Sequence, residues 1–224
     1  MPAVIFDLDG TLLDSYDAHF EAWSALAAEL GVALTESQFQ SQFGRKNEPI
    51  LEELHEWAGK DVPGDAQLAE LADRKEAHYR ALIGQVLPLM PGAAQLIEQL
   101  QARGWVVAIG SSTPRVNLEF AQAAMAQHGV KFDAAACGCD VKRSKPNPDV
   151  FLLAAERLQV PPQECVVVED APAGIEAAHR AGMASVGLAS KGRTRSELAS
   201  AMCVVDAMAE LNVDLLDGLA RARA

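Results

Sequence analysis

Two carboxylates one residue apart, Asp7 and Asp9, follow directly on the apolar run Ala3 to Phe6. Acids held this close repel one another unless a cation or a shared proton relieves them. Asp9-Gly10 also reads as a solvated turn, but a turn does not explain acids that follow the last apolar residue with no spacer. Three other places share the pattern. Ser111 follows the run Trp105 to Ile109, Lys145 comes after Ala134 to Cys137, and Glu169-Asp170 follow Cys165 to Val168. Each has an ordinary explanation: Ser111 as a helix N-cap, Lys145 as a surface lysine, Asp170 as the cap of a helix opening at Pro172. Four such positions at one edge of a sheet make coincidence a poor account. Asp7, Asp9 and Asp170 around one point, with no Cys or His beside them, form a hard oxygen site suited to Mg²⁺. A metal there offsets repulsion between carboxylate and phosphate, so Asp7 can attack phosphorus and carry an aspartyl-phosphate. Asp9 can protonate the leaving oxygen and later deprotonate water. Ser111 and Lys145 can hold the phosphoryl oxygens by hydrogen bond and charge. Glu169 either binds the metal or acts on it through another group.

These groups meet only if the runs before them are neighbouring strands, since ligands bind beyond the carboxyl ends of a parallel sheet. Strands are expected at Ala3–Phe6, 105–109, 134–137 (weak), 165–168 and 184–188, with a last edge strand at Val204-Val205. Met90-Pro91-Gly92 predicts a helix with Pro in its first turn, ended by Gly104. Further helices are expected after Pro114, over 149–158 and over 172–181. Alternation of strands and helices implies right-handed crossovers and a sheet covered on both faces. Between the first strand and Pro88 the pattern is helical throughout. Residues 17–30 place Phe20, Trp23, Leu26, Ala27 and Leu30 on one face, with Gly31 as the stop. Thr35 to Gln38 fits a capping box. The polar loop 44–49 leads to a helix carrying Ile50, Leu51, Leu54 and Trp57, and residues 65–83 form a fourth. The expected architecture is α/β: a three-layer Rossmann-like parallel sheet core (1–15 and 88–224) with an inserted α-helical cap (16–87), hinged near residues 15 and 87.

With 224 residues, half of them apolar and 22% charged, the chain has the composition of a soluble globular protein. A net charge of −12 argues against nucleic acid and anionic membranes as partners. No run approaches the roughly 18 apolar residues of a membrane span, and the N-terminus begins a strand without a basic leader, so a cytoplasmic location is expected. Of four cysteines, Cys165 and Cys203 open strand-like runs and are expected to be small buried core residues. Cys137-Gly138-Cys139 is the pair to watch for oxidation. A monomer is expected.

Asp7-Leu8-Asp9-Gly10-Thr11-Leu12 before Asp14-Ser15 resembles the first signature of the haloacid-dehalogenase superfamily. Ile109-Gly110-Ser111-Ser112 resembles the second, Lys145-Pro146 before Pro148-Asp149 the third, and Val168-Glu169-Asp170 before Gly174-Ile175 the fourth. The resemblance covers essentially the whole chain and implies a β-phosphoglucomutase/phosphatase-like enzyme using Mg²⁺. It implies that Asp9 gives its backbone carbonyl to the metal; the candidate metal set is Asp7, Asp9, Asp170 and Glu169, the last favoured as acting indirectly, and Ser112 beside Ser111 is a candidate substrate contact. A dehalogenase needs no proton for a halide, so Asp9 favours phosphotransfer. Gly44-Arg45-Lys46-Asn47 is similar to the family's loop that dips over the site, which makes Arg45 and Lys46 candidate substrate contacts. His19 and Lys75 fall where β-phosphoglucomutases carry a His and a Lys. Asn47 stands where those mutases place an arginine for a second phosphate. The expected activity is hydrolysis of a small phosphorylated metabolite, sugar-phosphate-like. The alternatives are phosphosugar isomerisation and, less favoured, a phosphoaspartate signalling module; such modules are much shorter and have no helical insertion.

Overall fold

The computed structural model describes residues 1–84 and 87–222. Residues 85, 86, 223 and 224, which the expected domain ranges include, lie outside the described residues. The chain divides into two compact units: Met1–Asp14 with Leu89–Ala224, and Ser15–Pro88.

The first unit is built on one six-stranded parallel sheet in the order β3-β2-β1-β4-β5-β6. Its strands are β1 (Ala3–Phe6), β2 (Val106–Gly110), β3 (Ala134–Ala136), β4 (Cys165–Glu169), β5 (Ala184–Leu188) and β6 (Cys203–Val205). Every residue of β1, β4 and β5 is buried. Strands packed on both faces need continuous apolar runs, and Ala3-Val4-Ile5-Phe6 and Cys165-Val166-Val167-Val168 supply them. Successive side chains point to opposite faces. Ala3, Ile5, Ala108, Cys165 and Val167 pack with Phe151, Ala154, Ala177 and Ala178, which belong to α7 (Asp149–Leu158) and α8 (Pro172–Arg180). On the other face α5 (Ala93–Ala102) lies on β2, α9 (Val213–Arg221) on β4 and β5, and the two helices touch. A further helix, α6 (Arg115–Gln127), follows β2. The fold is a Rossmann-like α/β core.

Three local readings are corrected. The helix expected to open at Pro91 begins at Ala93, because Gly92 sits at its N-cap in the left-handed region (φ 93°) and Pro91 precedes it. Cys203 is half-buried on an edge strand and not a core residue. The polar loop expected over 44–49 ends earlier, since Asn47 already opens a helix. The terminal helix α9 was not anticipated.

The second unit contains α1 (Tyr16–Leu30), α2 (Glu36–Gln42), α3 (Asn47–Trp57) and α4 (Asp65–Ile83). Gly31 ends α1 in the left-handed conformation, its N–H bonded to Ala27 and Ala28 carbonyls. Thr35 and Gln38 form the reciprocal capping box of α2. Of the apolar positions expected to pack in this unit, Trp23, Leu26, Ala27, Ile50, Leu51 and Leu54 are buried together, joined by Tyr16, Phe39 and Phe43, while Phe20 and Leu30 are partly buried. The expectation for Trp57 is corrected, since at the last turn of α3 its side chain is exposed.

Candidate active site

The sheet register sets the level of each group. Phe6 pairs with Ile109 on one side and Val168 on the other, so Asp7 stands level with Gly110 and Glu169. Ser111 and Asp170 come one residue further out. Asp7 continues the ladder by donating its N–H to the Val168 carbonyl (2.9 Å). The chain then folds back on Leu8, whose carbonyl accepts from Leu12 and Leu13 (both 2.9 Å), and Gly10 supplies the left-handed residue this turn requires (φ 84°). Asp9 lies half-buried in that turn.

Lys145 joins the strands chemically. It sits in the segment between the short 3-10 turn Gly138–Asp140 and α7, and it is buried. Its Nζ donates to Asp7 Oδ1 (2.5 Å) and to Glu169 Oε2 (2.7 Å) and lies 4.6 Å from the Phe151 ring centre. The other Glu169 oxygen, Oε1, accepts from the Ala171 N–H (3.0 Å). Glu169 is therefore held at both oxygens. Space for it exists only because residue 174 is glycine: a Cβ there would lie 2.0 Å from Glu169 Cδ and Oε2.

Asp170 is less well satisfied. Thr11 Oγ1 donates to its Oδ1 at 3.5 Å, and Arg193 Nε lies 3.9 Å from its Oδ2, which is buried and accepts no hydrogen bond. Carboxylate oxygens of Asp7, Glu169 and Asp170 all lie within 4.8 Å of one another. Three buried acids thus face two cations, Lys145 and Arg193. The result is visible in their proton affinities. Burial, reinforced by the Glu169 charge, pushes Asp7 up to about 8 despite the pull of Lys145. Burial and the charges of Glu169 and Asp7 likewise carry Asp170 well above the carboxylate range. Burial disfavours the Lys145 ammonium, yet the Asp7 and Glu169 charges outweigh it and raise its pKa above the ordinary lysine value.

An unsatisfied buried carboxylate oxygen beside two other acids fits a hard divalent cation with oxygen ligands. The carboxylates that meet are those of Asp7, Glu169 and Asp170; that of Asp9 is not in the group. Ser111 is buried, its N–H bonded to the Ala136 carbonyl (3.1 Å) and its Oγ accepting from the Thr113 N–H (3.2 Å). It does not cap a helix, since α6 is entered through Pro114, and α8 is entered through Ala171, not Asp170. Ser112 is half-buried next to it.

In the helical unit, His19 and Lys75 come together and Arg45 and Lys46 do not join them. His19 Nδ1 lies 2.8 Å from Lys75 Nζ, and its ring stacks on Tyr79 at 3.8 Å. Lys75 also donates to Glu76 Oε1 (3.0 Å), to which the Asn47 side-chain amide donates at 2.8 Å. Burial alone would raise Glu76, but the Lys75 and His19 charges hold it below the ordinary carboxylate range. Arg45 is exposed and paired with Glu53 (2.8 Å), and Lys46 is half-buried at the N-cap of α3.

Sequence reasoning missed three participants: Arg193, Thr11 and the steric role of Gly174. For Arg193 a signal existed, because the loop after Leu188 is another strand end at the same sheet edge.

Residues 1–182 match the family model of haloacid dehalogenase-like hydrolases. The β-phosphoglucomutase of Bacillus subtilis is 34% identical over 191 residues, covering 84% of this chain and 83% of that protein. The validoxylamine A 7'-phosphate phosphatase of Streptomyces hygroscopicus is 37% identical over 193 residues, covering 82% and 84%. Among solved structures, a β-phosphoglucomutase from Clostridium difficile superposes with a TM-score of 0.88 at 28% identity, over 99% of this chain and 98% of that one. With the ends of β1 and β4 and the segment between β3 and α7 bringing Asp7, Glu169, Asp170 and Lys145 into one cluster, and with this likeness along its length, the chain belongs to the haloacid dehalogenase-like hydrolases.

Proposed function

We infer that this chain is a phosphoric monoester hydrolase that acts on small, sugar-phosphate-like metabolites through an aspartyl-phosphate on Asp7, with Mg²⁺ as cofactor. The observation that carries the reading is the excess of buried carboxylate over cation around Asp7, Glu169 and Asp170. Asp7, Asp170 and the Asp9 carbonyl would hold the metal. When bound, Mg²⁺ supplies the positive charge that lets an anionic carboxylate approach an anionic phosphate.

The residues divide the work. Asp7 attacks phosphorus, and the bond from phosphorus to the ester oxygen breaks. Asp9 gives the departing oxygen its proton, then takes one from water, which attacks the phosphoryl-aspartate and regenerates Asp7. Lys145 fixes the orientation of Asp7 and, with Ser111, faces the phosphoryl oxygens, on which negative charge is spread in the transition state. Glu169 acts through Lys145, since both its oxygens are already engaged. Ser112, His19, Lys75, Arg45 and Lys46 are assigned to the substrate, and the helical unit takes the role of a cap. A cytoplasmic monomer belongs to the same reading.

A second reading, phosphosugar isomerisation, is favoured by the mutase relatives and by the buried His19–Lys75 pair. Against it, Asn47 carries no charge for a second phosphate and is committed to Glu76, an acid. One assay separates the two. Sugar phosphates, polyol phosphates, nucleotides and phosphoglycolate are screened for released phosphate, with β-glucose 1-phosphate plus a bisphosphate primer run alongside. Hydrolysis releases phosphate; isomerised product without net release rejects the phosphatase reading. Asp7→Asn should abolish turnover with folding intact, and normal activity in that variant rejects the mechanism.

A further inference from the structure

Outside the carboxylate cluster, the described residues of the first unit hold a cysteine pair able to undergo redox chemistry. Cys137 and Cys139, separated by Gly138, are joined by a disulfide. Cys137 is fully buried at the end of β3, whereas Cys139 is exposed. The turn they occupy, Gly138–Asp140, lies directly on the loop that carries Ser111. Gly138 donates its N–H to the Thr113 carbonyl (3.2 Å), and a Cβ at Gly138 would come within 2.4 Å of the Ser112 carbonyl oxygen. Ala136, the residue before Cys137, accepts the Ser111 N–H (3.1 Å). Asp140, the last residue of the turn, accepts from the Cys137 N–H (3.0 Å), from Arg157 (2.9 Å) and from Arg115, which opens α6 just after the Ser111 loop. The turn and the loop therefore touch along their backbones and are tied again at Asp140.

We propose that Cys137 and Cys139 are a reversible thiol–disulfide switch that sets the order of the Ser111–Thr113 loop. Oxidation uses a low-molecular-weight disulfide. The exposed Cys139 thiolate attacks one of its sulfurs, forming a mixed disulfide and releasing one thiol. Cys137 then attacks the Cys139 sulfur, releasing the second thiol, so two protein thiols lose two protons and two electrons and the reagent gains both. A small thiol reverses each step at Cys139. Closed, the sulfur bridge fixes the turn and presses Gly138 on Ser112. Opened, the turn keeps its hydrogen bonds to the loop and its ties at Asp140 but loses the covalent constraint, so the loop is held less tightly. Cysteine pairs of this kind inside a reducing compartment are usually catalytic or redox-sensing, and exposure of one sulfur is what exchange requires. The donor atoms of Cys137, Cys139 and Asp140 also lie close enough to share a metal ion, but the Asp140 carboxylate is occupied by two arginines, so redox chemistry is the reading retained.

The proposal rests on the phosphatase reading for its activity readout alone, so a second readout is independent of it. The full chain is poised in buffers of reduced and oxidised glutathione, and thiol content is read by alkylation and mass spectrometry. Amide hydrogen exchange is followed over residues 107–118, and KM for p-nitrophenyl phosphate is measured in the same samples. Oxidation should slow exchange in that segment and lower KM, each by at least about threefold. Cys139→Ser should abolish both responses and hold the protein at its reduced values. Equal exchange in the two states, a Cys139→Ser variant that still responds, or a response reproduced by a zinc chelator overturns the proposal. Changed exchange beside an unchanged KM overturns the link to substrate. Absence of turnover in both states defeats the phosphatase reading, while the exchange comparison still decides the switch.

Discussion

Gly174→Ala tests the geometry of the site without touching a reacting group. Gly174 lies in the first turn of α8, where alanine would ordinarily be worth about 1 kcal/mol over glycine. The new Cβ would sit 2.0 Å from Glu169 Cδ and Oε2 and 2.4 Å from Cγ, so the Glu169 side chain has to leave. Leaving breaks two hydrogen bonds to a buried carboxylate, from Lys145 at 2.7 Å and from the Ala171 N–H at 3.0 Å. At about 1.5–3 kcal/mol for each bond to a charged group, the loss outweighs the propensity gain by about 2–5 kcal/mol. For a chain of this size that lowers the thermal midpoint by about 5–15 °C. Because Lys145 also loses one of its two anchors, kcat/KM for p-nitrophenyl phosphate should fall with it. The control is a double-mutant cycle with Glu169→Ala. Once the carboxylate is gone, the Gly174→Ala methyl has nothing to displace, so its cost should vanish and the propensity gain reappear. A Gly174→Ala protein as stable as the parent, or a cost that persists in the Glu169→Ala background, refutes the reasoning.

Asp9→Asn should slow turnover by roughly 10²–10⁴-fold and let phosphorylated Asp7 accumulate, seen as a phosphoryl mass increment in rapid-quench spectra; an unchanged steady-state rate removes Asp9 from proton transfer. Lys145→Met leaves Asp7 and Glu169 facing each other without the ammonium, and urea titration should show a loss of about 3–5 kcal/mol; a loss under about 1 kcal/mol refutes the role of Lys145 as their counter-ion. In EDTA the stability should depend on pH through Asp7, whose pKa rises from 3.8 when unfolded to about 8 when folded. A raised carboxyl pKa favours the fold in full below about pH 4 and loses that contribution as pH climbs through about 8. The thermal midpoint in EDTA should therefore fall across this window relative to that in Mg²⁺, and the difference should vanish in Asp7→Asn; parallel profiles with and without Mg²⁺ rule out a metal at this carboxylate.

The parts of the site that could be read from sequence were those announced by strand ends. Asp7, Ser111 and Glu169-Asp170 follow continuous apolar runs, and a parallel sheet buried on both faces brings such ends to one edge. Lys145 is different. It comes nine residues after β3, and only the resemblance in Lys145-Pro146 set it apart from a surface lysine. That it spans Asp7 and Glu169 is a fact of packing. Arg193 sits in the polar stretch Ser190 to Thr194, where nothing in composition tells which side chain turns inward toward Asp170. The start of α5 was misplaced because Gly92 takes a left-handed cap, a choice that helix propensity does not encode. For α9 the signals were present, an Asn212 cap followed by Val213, Leu216 and Ala220 at helical spacing, but nine residues near a terminus make a weak period.

The charge balance of the site also explains why Glu169 is an acid at all. Asp7 emerges from the sheet's interior, between β2 and β4, with strands on both sides and helices on both faces. Buried as it is, Asp7 takes its counter-charge from Lys145, and a lysine has a long chain with many rotamers. A single carboxylate partner would leave the ammonium free to swing about that one bond. The second, Glu169, itself pinned by the Ala171 N–H, reduces Lys145 to one position over the Phe151 ring. The cost is a third buried acid in a group that two cations cannot neutralise. That cost falls on Asp170, whose Oδ2 is left without a donor. Precise placement of the cation beside Asp7 and an unmet demand for positive charge at Asp170 are thus one arrangement seen from two ends.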